Sequence, residues 1–478
     1  MDIIKNIINS SQKYQKFIIF GALFLAAVSF FDKILFTAFI FIAFLTAISF
    51  SFIKKNNVLS RLFLIAFLIH ISVVFFIYYA HFEPFGGAGD YIEYNLVAQK
   101  LAERIHQGNF SLKGIELSHN FPVFIGYIYA FSYSNMLLGQ IFNAWIVAIS
   151  VIFVYLIVVE IGGSEKQGFI AGLVANFYPS LLFFGSLLLK DALVVLLSLI
   201  ALFFILKIIK NFSFGRFLIF YLSLGSLIHF RIYIGYAVLL TFIICWMMFS
   251  NLKLKKRIIY FIIIIPFLGF LPQIFAGQSY FAISFLNRYL SKETITYYRE
   301  TVYAPPPPSQ PTPLSQPTPP SQPTPPSQPT PPSQPTKFSS KGRGSSTLIK
   351  TGFENPFTFL KNTLLSFTHA FFGPFFWQIK QPKYIFVFIE TISWYFLLFF
   401  IMKGIIKNIR KQYKYFLPLI IFSIFVFGIL AVFITNFGII ARIRMPAFLA
   451  LLCLFPFGFK KINDIKIPFL EKYFLKKI

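Results

Sequence analysis

The stretch Met136–Val159, MLLGQIFNAWIVAISVIFVYLIVV, carries no Asp, Glu, Lys or Arg from end to end. At 1.5 Å per residue, a helix of this length crosses the roughly 30 Å hydrocarbon core of a bilayer. Outward from it, apolar runs of spanning or near-spanning length lie at 17–32, 34–53, 61–80, 167–189, 191–210, 214–230, 232–250, 258–276, 384–402, 415–435 and 441–459. Together they predict an all-α polytopic membrane protein of about twelve transmembrane helices. Composition agrees: 57% of the 478 residues are hydrophobic, 12% are charged and the mean hydropathy is +0.73, against about 25% charged in soluble domains.

The formal net charge is +27, from 43 Lys and Arg against 16 Asp and Glu. The cations stand in short clusters between apolar runs, as membrane loops do, so no nucleic acid is expected as a partner. Cys245 and Cys453 both fall inside apolar runs, with no spacing for a disulfide framework or a zinc site. The run 17–32 follows Lys5, Lys13 and Lys16 as a signal peptide would, but lacks a small-residue cleavage site and reads as a retained first helix. With the N-terminus inside, alternate loops collect the clusters at Lys54–Arg61, Lys207–Arg216, Lys253–Arg257, Lys403–Lys414 and the tail from Lys460. Both termini are therefore expected in the cytoplasm.

The N-terminal transmembrane bundle is expected over 1–276, with a first outer loop at 81–119. That loop holds Glu83, Asp90, Glu93, Glu103 and Glu116 against Lys100, Arg104 and Lys113, an acidic island in a basic chain. After Gly86, Gly87 and Gly89, the spacing of Tyr91, Tyr94, Leu96, Val97, Leu101 and Ile105 predicts an amphipathic helix lying on the outer membrane surface. Asp90 stands at its start, where a carboxylate can serve as an N-cap. A long outer loop follows at 277–383, and 384–478 supplies the C-terminal helices and a basic tail. Within the loop, 305–336 is a proline-rich array of SQPTPP-like hexapeptides. It can form neither helix nor ladder and reads as a polyproline spacer.

Ionisable groups at the ends of spans are functional candidates, because burial in lipid is costly for them. Asp90, Lys190 with Asp191, His229 with Arg231, and Arg442 with Arg444 all fall on the predicted outer face. Guanidinium groups grip phosphate oxygens in a bidentate way and stabilise the charge that a departing phosphate acquires. A carboxylate beside them can take a proton from an incoming hydroxyl. This is an outline for glycosyl transfer from a lipid-phosphate sugar. HExxH, Walker, Rossmann and Asp-x-Asp patterns are absent, so metalloprotease, ATPase, dinucleotide and direct nucleotide-sugar chemistry have no support.

The segments GDYIEYNLVAQKLAE from Gly89, NFPVFIGYIYAF from Asn120, YPSLLFFGSLLLKDALVVLL from Tyr178, HFRIYIGY from His229, FFGPFFWQIKQP from Phe371, ETISWYFLL from Glu390 and NFGIIARIRMPAFLALL from Asn436 resemble, in order and spacing, the GT-C superfamily of membrane glycosyltransferases. The nearer likeness is to bacterial polyprenyl-phosphate-sugar-dependent enzymes related to protein O-mannosyltransferases and the lipid A aminoarabinose transferase. The resemblance implies a GT-C-like fold in the plasma (inner) membrane with an extracytoplasmic active site. It implies Asp90 as base and Asp191 as a second catalytic carboxylate, although Lys190-Asp191 stands where the family often has Ser-Glu. Arg442 and Arg444 would hold the donor phosphate, with Arg231 a third cation and Lys190 and Glu93 beside the site. The partners implied are a polyprenyl-phosphate sugar donor, membrane lipid, and a protein or glycan acceptor. No cofactor is required, although Mg²⁺ or Mn²⁺ could bridge Asp90, Asp191 and the phosphate. Two other readings stand beside this one: an O-antigen polymerase or ligase using the long outer loop, and a polytopic lipid-linked saccharide transporter.

Overall fold

In the computed structural model the described residues are 27, 32–54, 56–82, 89–115, 120–262, 291–297, 299, 352–353, 355–375, 385–434 and 436–459. Among them the regular structure is helical: α1 Lys33–Ile53, α2 Asn57–Tyr79, α3 Asp90–His106, α4 Phe121–Ala130, α5 Met136–Glu160, α6 Glu165–Asn176, α7 Pro179–Phe184, α8 Asp191–Lys210, α9 Phe214–Phe230, α10 Ile232–Phe249, α11 Lys292–Tyr297, α12 Pro356–Phe372, α13 Ile385–Phe433, α14 Phe437–Ile443 and α15 Met445–Leu452, then a 3-10 turn at Phe455–Gly458. Six of these, α1, α2, α5, α8, α10 and the long α13, are long and apolar enough to cross a membrane. Most of the expected first span 17–32 and of the 258–276 span, with the array 305–336 and the tail from Lys460, lies outside the described residues.

Helix starts follow local chemistry. Asp32 and Asn56 accept backbone N–H groups at the heads of α1 and α2, and Ser164 with Gln167 closes a capping box on α6. The central helix is α5, without charge until its last residue, Glu160, and it packs against α2, α6 and α8. Three expected segments differ from the structure. The run 167–189 is broken after α6, because Pro179 holds Tyr178 in an extended conformation before the short α7. The run 441–459 is divided among α14, α15 and the 3-10 turn, with Pro446 and Pro456 each opening a new element. The runs 384–402 and 415–435 join as the two arms of α13, which meet at the non-helical Gln412. The arms fold back side by side: Trp394 of the first stacks on Phe448 at 3.7 Å, and Phe427 of the second meets the same ring tilted, at 5.4 Å. Gly404 and Gly458 permit the close seat of the first arm on the 3-10 turn, where an added Cβ would meet backbone at 2.8 and 2.2 Å.

The amphipathic helix forms as α3, but its apolar face is not offered to lipid. Tyr91, Tyr94, Leu101 and Ile105 are buried, and α3 packs along α4. Leu96 alone of the large apolar residues on that predicted face stands about half exposed.

Candidate functional site

Five sequence-predicted residues converge at one end of the bundle, where α8 and α10 begin. Asp191 is the first residue of α8 and only 2% exposed. Its carboxylate gains from the positive end of the helix dipole. The irregular segment leading to it is held by Asn143 of α5, whose amide donates to the carbonyls of Leu187 and Leu189 at 2.6 and 2.8 Å. Arg231 occupies the non-helical junction of α9 and α10. Gly235 makes that junction tight, since a Cβ there would meet the Ile228 backbone at 2.9 Å. Arg442 comes from the last turn of α14.

The charges interlock. Arg231 Nη2 lies 2.7 Å from Asp191 Oδ1, and its Nη1 donates to the Tyr233 hydroxyl at 2.8 Å. Arg442 donates to Asp191 Oδ2 through Nε at 3.1 Å and Nη2 at 2.8 Å. The same Nη2 reaches Asp90 Oδ2 at 2.9 Å. Asp90 is 49% exposed, Arg442 16% and Asp191 2%, so the group is open on the Asp90 side and closed beneath. Asp90 does not cap α3: Gly89 holds that position, and the carboxylate is spent on Arg442. Lys190 is buried beside the cluster; burial foremost, then the Arg231 charge, lowers its ammonium to about 7, against the pull of Asp191 and Asp90. The Tyr94 hydroxyl beneath is raised above its usual range, by burial first and then by the Asp90 and Asp191 charges. Alongside, the Asn120 amide at the start of α4 meets His229 Nε2 at the end of α9, seating the α3–α4 pair on the Arg231 corner.

Arg444 is elsewhere. It is 1% exposed and donates through Nη2 to Glu390 Oε1 at 2.8 Å and through Nη1 to the Gly373 carbonyl at 2.7 Å. Glu390, itself 3% exposed, also accepts from the hydroxyls of Tyr178 and Ser180, and Phe448 lies under the guanidinium. With these partners Arg444 cannot serve as the expected phosphate ligand; it belongs to a sealed network. Glu93 remains exposed on α3, outside the ion-pair group. Sequence reasoning missed Asn143, Tyr94, Tyr233 and Glu390. Glu390 had a signal, as the one carboxylate within the expected span 384–402.

Among the described residues no group of three metal-type side chains gathers. The residues also do not fit an ion bridging Asp90 and Asp191, because Arg442 Nη2 already stands between them at 2.9 and 2.8 Å. Before the array, buried Arg299 donates to the carbonyl of Ala431 at 3.1 Å and to Ser366 Oγ of α12 at 2.6 Å. The two described flanks of the proline-rich segment are therefore joined to each other. Compared with protein-family models, curated proteins and solved structures, the chain finds no match.

Proposed function

We propose that the chain is a GT-C-like membrane glycosyltransferase that moves a sugar from a polyprenyl-phosphate donor to a hydroxyl acceptor, with about twelve spans in the plasma membrane and its site outside. The observation that carries this reading is the shared guanidinium of Arg442, held by a buried carboxylate on one side and a half-exposed one on the other. Asp191 fixes Arg442 and Arg231 as a preorganised pair of cations. A donor phosphate arriving on the open side competes for Arg442 Nη2, and Asp90 is thereby released to face the acceptor.

The acceptor hydroxyl then gives its proton to Asp90 while its oxygen attacks the anomeric carbon opposite the phosphate. The carbon–oxygen bond to phosphate breaks, its electron pair leaves with polyprenyl phosphate, and the anomeric configuration inverts. Arg442 and Arg231 stabilise the charge gathering on the leaving group. With Asp90, Asp191, Arg231 and Arg442 balancing, the protonated Lys190 ammonium supplies the extra positive charge that matches a singly charged phosphodiester.

The test is turnover of defined donors. The purified chain in vesicles is given a panel of polyprenyl-phosphate sugars together with a membrane extract as acceptor, and released polyprenyl phosphate is measured. Sugar-dependent release supports the reading; no release from any donor, with the protein folded and the panel consumed by a control transferase, overturns it.

A further inference from the structure

The helices α8 and α10 carry the ion-pair site at one end, and at the other, roughly 30 Å away along α8, they end in a second charged region. There Asn251, just past α10, bonds to the carbonyls of Ile209 and Lys210 at the end of α8. Phe249 packs on Tyr413 at 6.0 Å, and the Lys210 ammonium lies 4.6 Å over the Tyr415 ring. The ends of α8 and α10 and the fold-back of α13 therefore meet on one face.

The cations of this face divide into two sets. Lys207 and Lys210 pair with Glu160, and Arg257 caps the carbonyls of Met247 and Leu252. By contrast, Lys253, Lys255 and Lys256 are exposed, as are Lys403, Lys407, Arg410 and Lys411. None of these seven pairs with a carboxylate among the described residues. Apolar side chains stand exposed between them: Leu254 and Ile258 on one strip, Met402 and Ile406 on the other. Lys403, Lys407, Arg410 and Lys411 recur three and four residues apart within α13, where like charges repel, and exposed Ile or Met beside them gains nothing from water. Both costs are relieved by a single kind of occupant, one with an anionic head and an apolar tail.

We propose that this face is a binding surface for anionic phospholipid headgroups, phosphate and glycerol outward and acyl chains along Leu254, Ile258, Met402 and Ile406. The proposal is independent of the glycosyl-transfer reading, since it uses none of the residues at the other end. Polybasic segments beside membrane helices gain from each Lys or Arg that meets an anionic leaflet, and the gain is screened by salt.

The full chain, purified in a neutral detergent, is offered phosphatidylglycerol and phosphatidylcholine with matched acyl chains, and retained lipid is counted by native mass spectrometry. Retention of phosphatidylglycerol is expected to exceed that of phosphatidylcholine by at least about tenfold and to fall as salt rises. The variants K403Q/K407Q/R410Q/K411Q and K253Q/K255Q/K256Q should each reduce that preference. If one fails to fold, the other decides. Equal retention of the two lipids by the parent chain overturns the proposal, as does a preference unchanged in the folded variants. Tighter capture of an RNA oligonucleotide in the same mixture would assign the face to nucleic acid and overturn it equally.

Discussion

Arg442 and Arg444 are two residues apart and meet their carboxylates in opposite settings. Arg442 stands in a cluster whose outer member, Asp90, is half exposed, and one of its nitrogens is divided between two acids. Arg444 is enclosed with Glu390, Tyr178, Ser180 and the Gly373 carbonyl, where both acid and base are within 3% of complete burial. The lesson is that a charge near a membrane is not by itself a sign of chemistry. An enclosed buried pair specifies where segments sit, whereas a shared, partly open pair can exchange its partner for a substrate.

The sealed pair should break hardest in stability. Glu390→Ala leaves the Arg444 guanidinium without its carboxylate in the interior, and a loss of about 3–5 kcal/mol is expected, read as a large fall in thermal midpoint or failure to accumulate folded protein. An unchanged midpoint would erase the distinction between the two clusters. A smaller effect is expected from pH at the open site. Lys190 titrates near 7 when folded, so its charge is present below that pH and lost above it. Affinity for a soluble short-chain prenyl-phosphate sugar, a phosphodiester whose single charge does not change over this range, should fall roughly threefold to tenfold from pH 6 to pH 8, and Lys190→Met should flatten the profile. The same depression has a sign for stability: the unfolded lysine keeps its proton up to about 10.4, so folding stability should rise with pH from about 7 to that value. The smallest effect belongs to the array. With its flanks joined through Arg299 and Ser366, deleting Pro305–Thr336 should leave the unfolding free energy within about 0.5 kcal/mol of the parent and leave turnover unchanged.

Much of the helical layout was legible because charge-free runs leave few alternatives. The expected 136–159, 191–210, 214–230 and 34–53 agree with helix ends within about a residue. The misread segments are those where a proline divides an apolar run, since hydropathy alone is blind to Pro179 and Pro446. At the site, Asp90, Asp191, Arg231, Arg442 and Lys190 were legible as charges at span ends. Arg444 was misassigned although its spacing held the answer: residues two apart on a helix project about 200° from each other, so Arg442 and Arg444 could not both line one pocket. Asn143, which holds the loop before Asp191, was hidden as an ordinary polar residue inside a long apolar helix.

The most direct test is Asp90→Asn, measured for both folding and sugar transfer from a polyprenyl-phosphate donor. Removing the exposed carboxylate should leave the thermal midpoint close to that of the parent, because exposed ion pairs contribute about 0–1 kcal/mol, while turnover falls by roughly 10²–10⁴ with loss of the base. Parent-like turnover by a folded Asp90→Asn chain would contradict the account.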